Sequence, residues 1–225
     1  MLKDWSNVII PEEEEINERL EKARNKLVQQ QILIMQKKLP VLVSFDGWGA
    51  AGKGSILGKI IKNIDPRFFK VAVMDKPTED EKRRPFLYRY VINIPEAGKF
   101  TFMDGGCLDE VTKQKLSGKI TDEEYKRKIE SVKRFERQLS DNGYLVIKFF
   151  FHIGEQEQRK RLTRLLDDKN TRWRVSEYDW WQNQHYKKSL KAFDQFIDDT
   201  SQSIAPWYIV DATDKKWAQL QILEK

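Results

Sequence analysis

After Pro40 the chain alternates between short apolar runs and longer amphipathic stretches. The runs are Val41 to Phe45, Phe69 to Met74, Lys99 to Met103, Tyr144 to Phe151 and Trp207 to Val210. Runs this short and this continuously apolar predict strands covered on both faces, as in a parallel sheet. Helical stretches separate them. One follows Gly52, and two more are announced by Thr78-Glu79-Asp80-Glu81 and Thr121-Asp122-Glu123-Glu124, where a hydroxyl and a carboxylate can satisfy the free amides of a first turn. Ahead of the first run, residues 11–38 predict a helix with Pro11 in its first turn and Glu12 to Glu15 at the positive end of its dipole. Ile16, Leu20, Ala23, Leu27 and Ile34 fall on one face of it, a stripe to pack on the body. The expected fold is α/β: a three-layer α/β/α arrangement around a central parallel sheet, with functional loops at the carboxyl ends of the strands. Without repeats or Gly/Ser or Pro-rich linkers, residues 1–225 read as a single domain.

Composition narrows the chemistry. With 40% hydrophobic and 12% aromatic residues, the chain can build a sizeable core. Forty-one Lys and Arg against 35 Asp and Glu leave a net charge of +6, which points to a polyanionic partner: nucleotide, nucleic acid, inorganic polyphosphate or anionic membrane. Specific nucleic-acid binding is not expected, because no helix-turn-helix, zinc or RNA-binding signature accompanies the charge. Met1-Leu2-Lys3-Asp4-Trp5 lacks a secretory pattern and no apolar run is long enough to span a bilayer, so a cytoplasmic protein with no membrane partner is expected. One cysteine and two histidines exclude a disulfide scaffold and a Cys/His zinc site. Cys107 reads as a small buried hydrophobe.

The strongest motif follows the first strand. Gly47-Trp48-Gly49-Ala50-Ala51-Gly52-Lys53-Gly54-Ser55 matches G-x-x-x-x-G-K between a buried strand and a helix. Small residues there let successive N–H groups curl around an anion, the helix N-terminus adds partial positive charge, and Lys53 reaches the distal phosphates. The residue after Lys53 is Gly54, so a hydroxyl for magnesium has to come from Ser55 or elsewhere. Asp104, after Phe100 to Met103, stands where an acid would hold magnesium, or else it opens the Gly105-Gly106 turn. Asp75, after the second strand, is a weaker candidate of the same kind.

Between Arg159 and Arg174 seven cations face two carboxylates, a local excess of five that carries nearly all the surplus charge. Residues 159–176 read either as a lid that closes over phosphates or as a solvated face. Lys76, Lys82, Arg83, Arg84 and Arg89 form a second basic group after the second strand. Together the two groups could line a groove longer than one nucleotide needs. Trp173, Trp180 and Trp181 interleave with the charge; one could stack on a base, with core packing expected for at least two.

These residues resemble polyphosphate kinase family 2, P-loop enzymes that move phosphoryl groups between inorganic polyphosphate and nucleotides. The resemblance runs through Phe45-Asp46-Gly47-Trp48, Ala50-Ala51-Gly52-Lys53-Gly54, Asp65-Pro66-Arg67, Lys76-Pro77-Thr78-Glu79 and Arg84-Pro85-Phe86-Leu87-Tyr88-Arg89. It continues in Phe135-Glu136, Lys148-Phe149-Phe150, Glu157-Gln158 with Arg161, Trp173-Arg174 and Ala205-Pro206-Trp207. The Gly47-Trp48 form looks closest to the AMP phosphotransferase type. The resemblance implies a thymidylate-kinase-like fold with a helical lid, Mg2+ as cofactor, inorganic polyphosphate and a purine nucleotide as substrates, and a homo-oligomer. It implies that Lys53 contacts the transferring phosphates, that Asp104 serves the metal, that Lys76, Arg84 and Arg89 belong to the basic groups for polyphosphate, and that Arg161, Arg164 and Arg174 lie in the lid. Two departures stand out: Gly49 where the family usually has aspartate, and Gly105-Gly106-Cys107-Leu108 where it usually has Arg-Ser-Trp-Tyr.

Three functions follow: a polyphosphate-dependent nucleotide phosphotransferase with Lys53 and Asp104 at its centre; a family member that keeps polyphosphate binding but not turnover; and an ATP-dependent small-molecule kinase.

Overall fold

The computed structural model describes Leu2 and residues 9–225. Most of the opening segment read for a leader, residues 1 and 3–8, lies outside them. Five strands form one sheet: β1 (Val41–Gly47), β2 (Phe69–Val73), β3 (Phe100–Asp104), β4 (Leu145–His152) and β5 (Trp207–Asp211), in the order β2-β3-β1-β4-β5. Every neighbouring pair is parallel, so all five carboxyl ends open on one edge. Each apolar run is a strand. β1 runs two residues past the expected Phe45, because Asp46 and Gly47 stay paired with Phe150 and Phe151. Phe45 is fully buried at the centre, its ring against Phe102, Phe149 and Phe151.

Ten helices complete the described residues: α1 (Glu13–Gln36), α2 (Lys53–Ile61), α3 (Glu79–Arg83), α4 (Tyr88–Val91), α5 (Cys107–Leu116), α6 (Asp122–Asp141), α7 (Glu155–Asp167), α8 (Glu177–Gln184), α9 (Tyr186–Thr200) and α10 (Lys215–Leu223). The first helix is shorter than the expected 11–38: Glu12 occupies the N-cap position without a side-chain hydrogen bond, and Pro11 stays outside. Its first half buries Ile16, Leu20 and Ala23 against Leu220 of α10, while Arg19 forks onto Glu224. Its second half leaves Val28, Ile32, Leu33 and Met35 exposed. Both expected capping boxes form, at Thr78 and Glu81 and at Thr121 and Glu124. A third, Ser176 with Asp179 at the start of α8, was not anticipated.

One charged pair lies inside the body. Lys148 on β4 donates to both oxygens of Glu136 on α6, at 2.8 and 2.9 Å, and to Thr200 O at 2.9 Å. It ties sheet, α6 and the end of α9 together.

Candidate active site

β1 delivers the chain into the glycine-rich loop, and α2 begins at Lys53 with Gly52 as its cap. The loop is anchored from below by Trp48, which is fully buried. Its ring stacks on Tyr186 at 4.0 Å, and its Nε1 donates to His152 Nδ1 at 3.2 Å. Lys53 Nζ lies across the loop and donates to Gly47 O at 3.0 Å and Trp48 O at 3.1 Å. The ammonium is therefore held over the concave side, where a phosphate group would meet it.

Carboxylates surround this lysine. Asp104 ends β3 with its carboxylate against Gly54; burial raises it from its ordinary range, with Lys53 pulling the other way and Asp75 adding to the rise. Asp109 on α5 is raised by burial too, opposed by Lys53 and Lys113 and reinforced by Asp179. Asp46 is buried and pushed up to about 6, mainly by desolvation. Its oxygens are spoken for: Ser44 Oγ donates to one at 2.7 Å, and Gly106 N and Asp109 N donate to the other at 2.9 and 3.4 Å. Asp46 thus clamps the turn after β3 to β1 and leaves Asp104 to face the loop. A side chain at residue 106 would run into Asp46 and Ser44, which accounts for Gly106 within the second departure but not for its neighbours.

No group of three or more His, Cys, Asp or Glu that could hold a metal is gathered among the described residues. Magnesium fits a different donor set, one or two carboxylates with waters and substrate phosphates. Asp104, an oxygen donor at the mouth of the phosphate loop, is the residue that would hold it there.

The two flanks of the loop differ. Towards β2 and β3, a cleft of about 920 Å³ opens between the strand ends, α5 and α8. Lys76, Arg89 and Lys113 bring positive charge to it, Asp109 lies at its base, and Tyr178 and Trp181 form an aromatic wall. Towards β4 and β5, Lys215 at the first turn of α10 lies near Gly52, within electrostatic range of Arg161, Lys59, Arg164 and Arg174. Burial and these four cations lower its pKa. Lys215 and Lys59 were not singled out in the sequence. The rule that functional residues follow strands could have found Lys215, four residues past β5.

Sequence-selected residues separate accordingly. Lys76 and Arg89 line the cleft, where Arg89 is largely buried and donates to Asp75 O at 2.6 Å. Arg84 lies outside its lining, beside Asp80 and over the Tyr88 ring. Arg164 and Arg174 are exposed at the cationic flank. Arg161 has a structural occupation: its guanidinium donates to Ala50 O, Ala51 O, Ala212 O and Thr213 O, and its Nε to Glu157. It braces the phosphate loop against the loop after β5. Tryptophan packing is the reverse of expectation: Trp173 is 75% exposed and Trp180 and Trp181 are half-buried, so none is in the core.

The segment read as a lid, 159–176, breaks differently. The basic helix begins earlier, at Glu155; a 3-10 turn covers Arg172–Arg174; α8 then folds back over the loop. Three buried amides fasten it. Gln182 Oε1 accepts from Gly49 N at 2.9 Å and from Gln158 Nε2 at 2.9 Å, and Gln158 Nε2 also reaches Gly49 O at 3.3 Å. Asn183 Nδ2 donates to Gln158 Oε1 and to Glu155 O, both at 3.0 Å. Gln158 stood in the family resemblance without a role, and nothing in the sequence marked Gln182 or Asn183.

A family model described as Polyphosphate kinase 2 matches residues 11–225. Among curated relatives, a polyphosphate:AMP phosphotransferase of Pseudomonas syringae pv. tomato is 32% identical over 187 residues, 83% of this chain and 38% of its own length. An AMP/ADP-polyphosphate phosphotransferase of Meiothermus ruber is 29% identical over 202 residues, 90% of this chain and 73% of its own. A solved polyphosphate kinase 2 structure from Arthrobacter aurescens superposes with a TM-score of 0.81 at 26% identity, covering 93% of this chain and 73% of that one. One described as a putative polyphosphate kinase 2 from Pseudomonas aeruginosa reaches 0.92 at 27% identity over 99% of this chain and 48% of its own. The chain thus spans well under half the length of the first relatives it matches.

Proposed function

Because the chain belongs to the polyphosphate kinase 2 family, we propose that it moves a phosphoryl group between inorganic polyphosphate and a purine nucleotide, AMP, ADP or GDP. The observation that carries this reading is the asymmetry about Lys53. A mixed aromatic and cationic cleft suits a nucleotide, with Trp181 and Tyr178 as a surface for the base. An open cluster of Lys59, Arg164, Arg174 and Lys215 suits a long polyanion that carries no base. The phosphate loop stands between the two.

In the direction of nucleotide synthesis, an oxygen of the nucleotide phosphate attacks the terminal phosphorus of polyphosphate in line. The bond from that phosphorus to the bridging oxygen breaks, and its electron pair leaves with the shortened chain. No covalent enzyme intermediate is required. Lys53 and the loop amides hold the transferring group and offset its charge, and the fixed flanks supply alignment. Magnesium, when bound, would neutralise charge on the phosphates, and Asp104 would be one residue that holds it. The same reading has the chain working as a homo-oligomer, for which the exposed apolar stripe of α1 is a candidate face; sedimentation would read its mass.

The test is to mix the protein with magnesium, long-chain polyphosphate and AMP, ADP or GDP, and to follow nucleotide products by chromatography beside Lys53→Ala. Product from the wild type and none from the variant is expected. Salt-sensitive polyphosphate binding without product would make the chain a binding module instead. Transfer from ATP that polyphosphate does not inhibit would make it a small-molecule kinase.

A further inference from the structure

Gly49 is not glycine for the sake of its backbone. It is absent from the left-handed positions, so its own conformation would admit a side chain. What excludes one is Asp179: a Cβ at residue 49 would collide with the Asp179 carboxyl and stand 3.1 Å from its Cβ. α8 therefore seats an acid where a loop side chain would otherwise project.

Asp179 is held there by two devices. Its Oδ2 accepts from Ser176 N at 2.7 Å and Ser176 Oγ at 2.8 Å, closing the capping box and fixing the rotamer. Gln182 and Asn183 follow at i+3 and i+4, on the same face of α8. They belong to the buried amide network that grips the N–H and C=O of Gly49. Oδ1 is the oxygen left facing the loop, and it is the one nearest Gly49. Asp109, in electrostatic range of both Asp179 and Lys53, places the acid beside the site and not on a remote surface.

We infer that Asp179 is a carboxylate of the active site, delivered by α8 to the phosphate loop, and that through Oδ1 it helps hold the divalent cation that accompanies the phosphates. The loop carries no acid of its own between Gly47 and Ser55. Gly49 and Asp179 form a complementary pair, in which the helix supplies an acid at the place where the loop leaves room for one. This rests on the phosphotransferase reading, since it assigns a residue to that reaction's cation.

The test uses the full chain with ADP and Mn2+ as the probe, reading Mn2+ affinity by electron paramagnetic resonance and folding by thermal denaturation. Asp179→Asn keeps an oxygen for Ser176 N and removes only the charge. It should melt within a few degrees of wild type while Mn2+ affinity falls by roughly tenfold or more, the loss typical of weakened metal sites. Gly49→Asp alone should lower the melting temperature through the collision. Gly49→Asp combined with Asp179→Gly should relieve the collision and recover Mn2+ affinity, with a melting temperature that stays below wild type because the capping box is lost. Unchanged Mn2+ affinity in Asp179→Asn, or a double variant that binds Mn2+ no better than Gly49→Asp, would reduce Asp179 to a helix cap. A wild type that transfers no phosphoryl group sinks the phosphotransferase reading; a wild type that transfers, matched by Asp179→Asn in both Mn2+ affinity and rate, sinks this inference alone.

Discussion

The indole N–H of Trp48 points into the ring of His152, donating to Nδ1 at 3.2 Å. That bond assigns the proton of the neutral ring to Nε2 and requires His152 to stay uncharged. Burial agrees: it lowers His152 from 6.5 to about 4, against the opposing pull of Asp211. The folded value lies below the unfolded one, so His152 stabilises fully above pH 6.5 and loses that contribution as pH falls towards 4. The amount at stake is on the order of 3 kcal/mol. Urea denaturation at pH 7.5 and 4.5 should show a larger acid loss in wild type than in His152→Gln.

The buried Lys148–Glu136 pair predicts a non-additive pattern. Removing one partner strands the other charge, so Lys148→Ala or Glu136→Ala should each destabilise by about 3–5 kcal/mol. Lys148→Met with Glu136→Leu should recover most of either loss. A double variant as unstable as the sum of the singles would show that the pair is not one unit.

Arginines of the same basic segment should separate by kinetic signature. Arg161 holds four carbonyls, so Arg161→Ala should cost about 2 kcal/mol of folding stability and lower kcat by loosening the loop. Arg174→Ala and Lys215→Ala should melt normally and raise KM for polyphosphate by roughly tenfold, with a weaker salt dependence. Equal effects of all three on KM alone would contradict the brace.

Asp46 carries the opposite sign from His152. Its folded value of about 6 exceeds the ordinary 3.8, so its contribution is full below 3.8 and is lost as pH rises through 6. Asp46→Asn keeps an acceptor for Gly106 N and sheds the buried charge, so its stability relative to wild type should improve from pH 5 to pH 8. Asp46→Ala should lose about 1–3 kcal/mol at pH 5 by leaving the Gly106 amide unpaired, and less at pH 8, where it too is free of the buried charge. Calorimetry at the two pH values reads both.

Strands, phosphate loop and two capping boxes were legible because each is local. A run such as Phe149 to Phe151 declares a two-sided burial in its own letters, and Thr121 to Glu124 contains both halves of its cap. The Ser176 and Asp179 box obeyed the same spacing and was readable. The amide network of Gln158, Gln182 and Asn183 was not, because their fully buried state is created only when α7, α8 and the loop meet. Charge drew attention to Arg161, yet charge does not say whether a guanidinium ends on a phosphate or on four carbonyls. Trp173 misled for the same reason: an aromatic ring suggests a core that only tertiary packing can supply or withhold.

The clasp between α8 and the phosphate loop is made of neutral amides, whereas the surface across the loop is made of cations. Dissolved ions screen the second and barely touch the first. Raising ionic strength should therefore strip the polyanion from the protein while the architecture that receives it stays assembled, and dilution should restore occupancy without refolding.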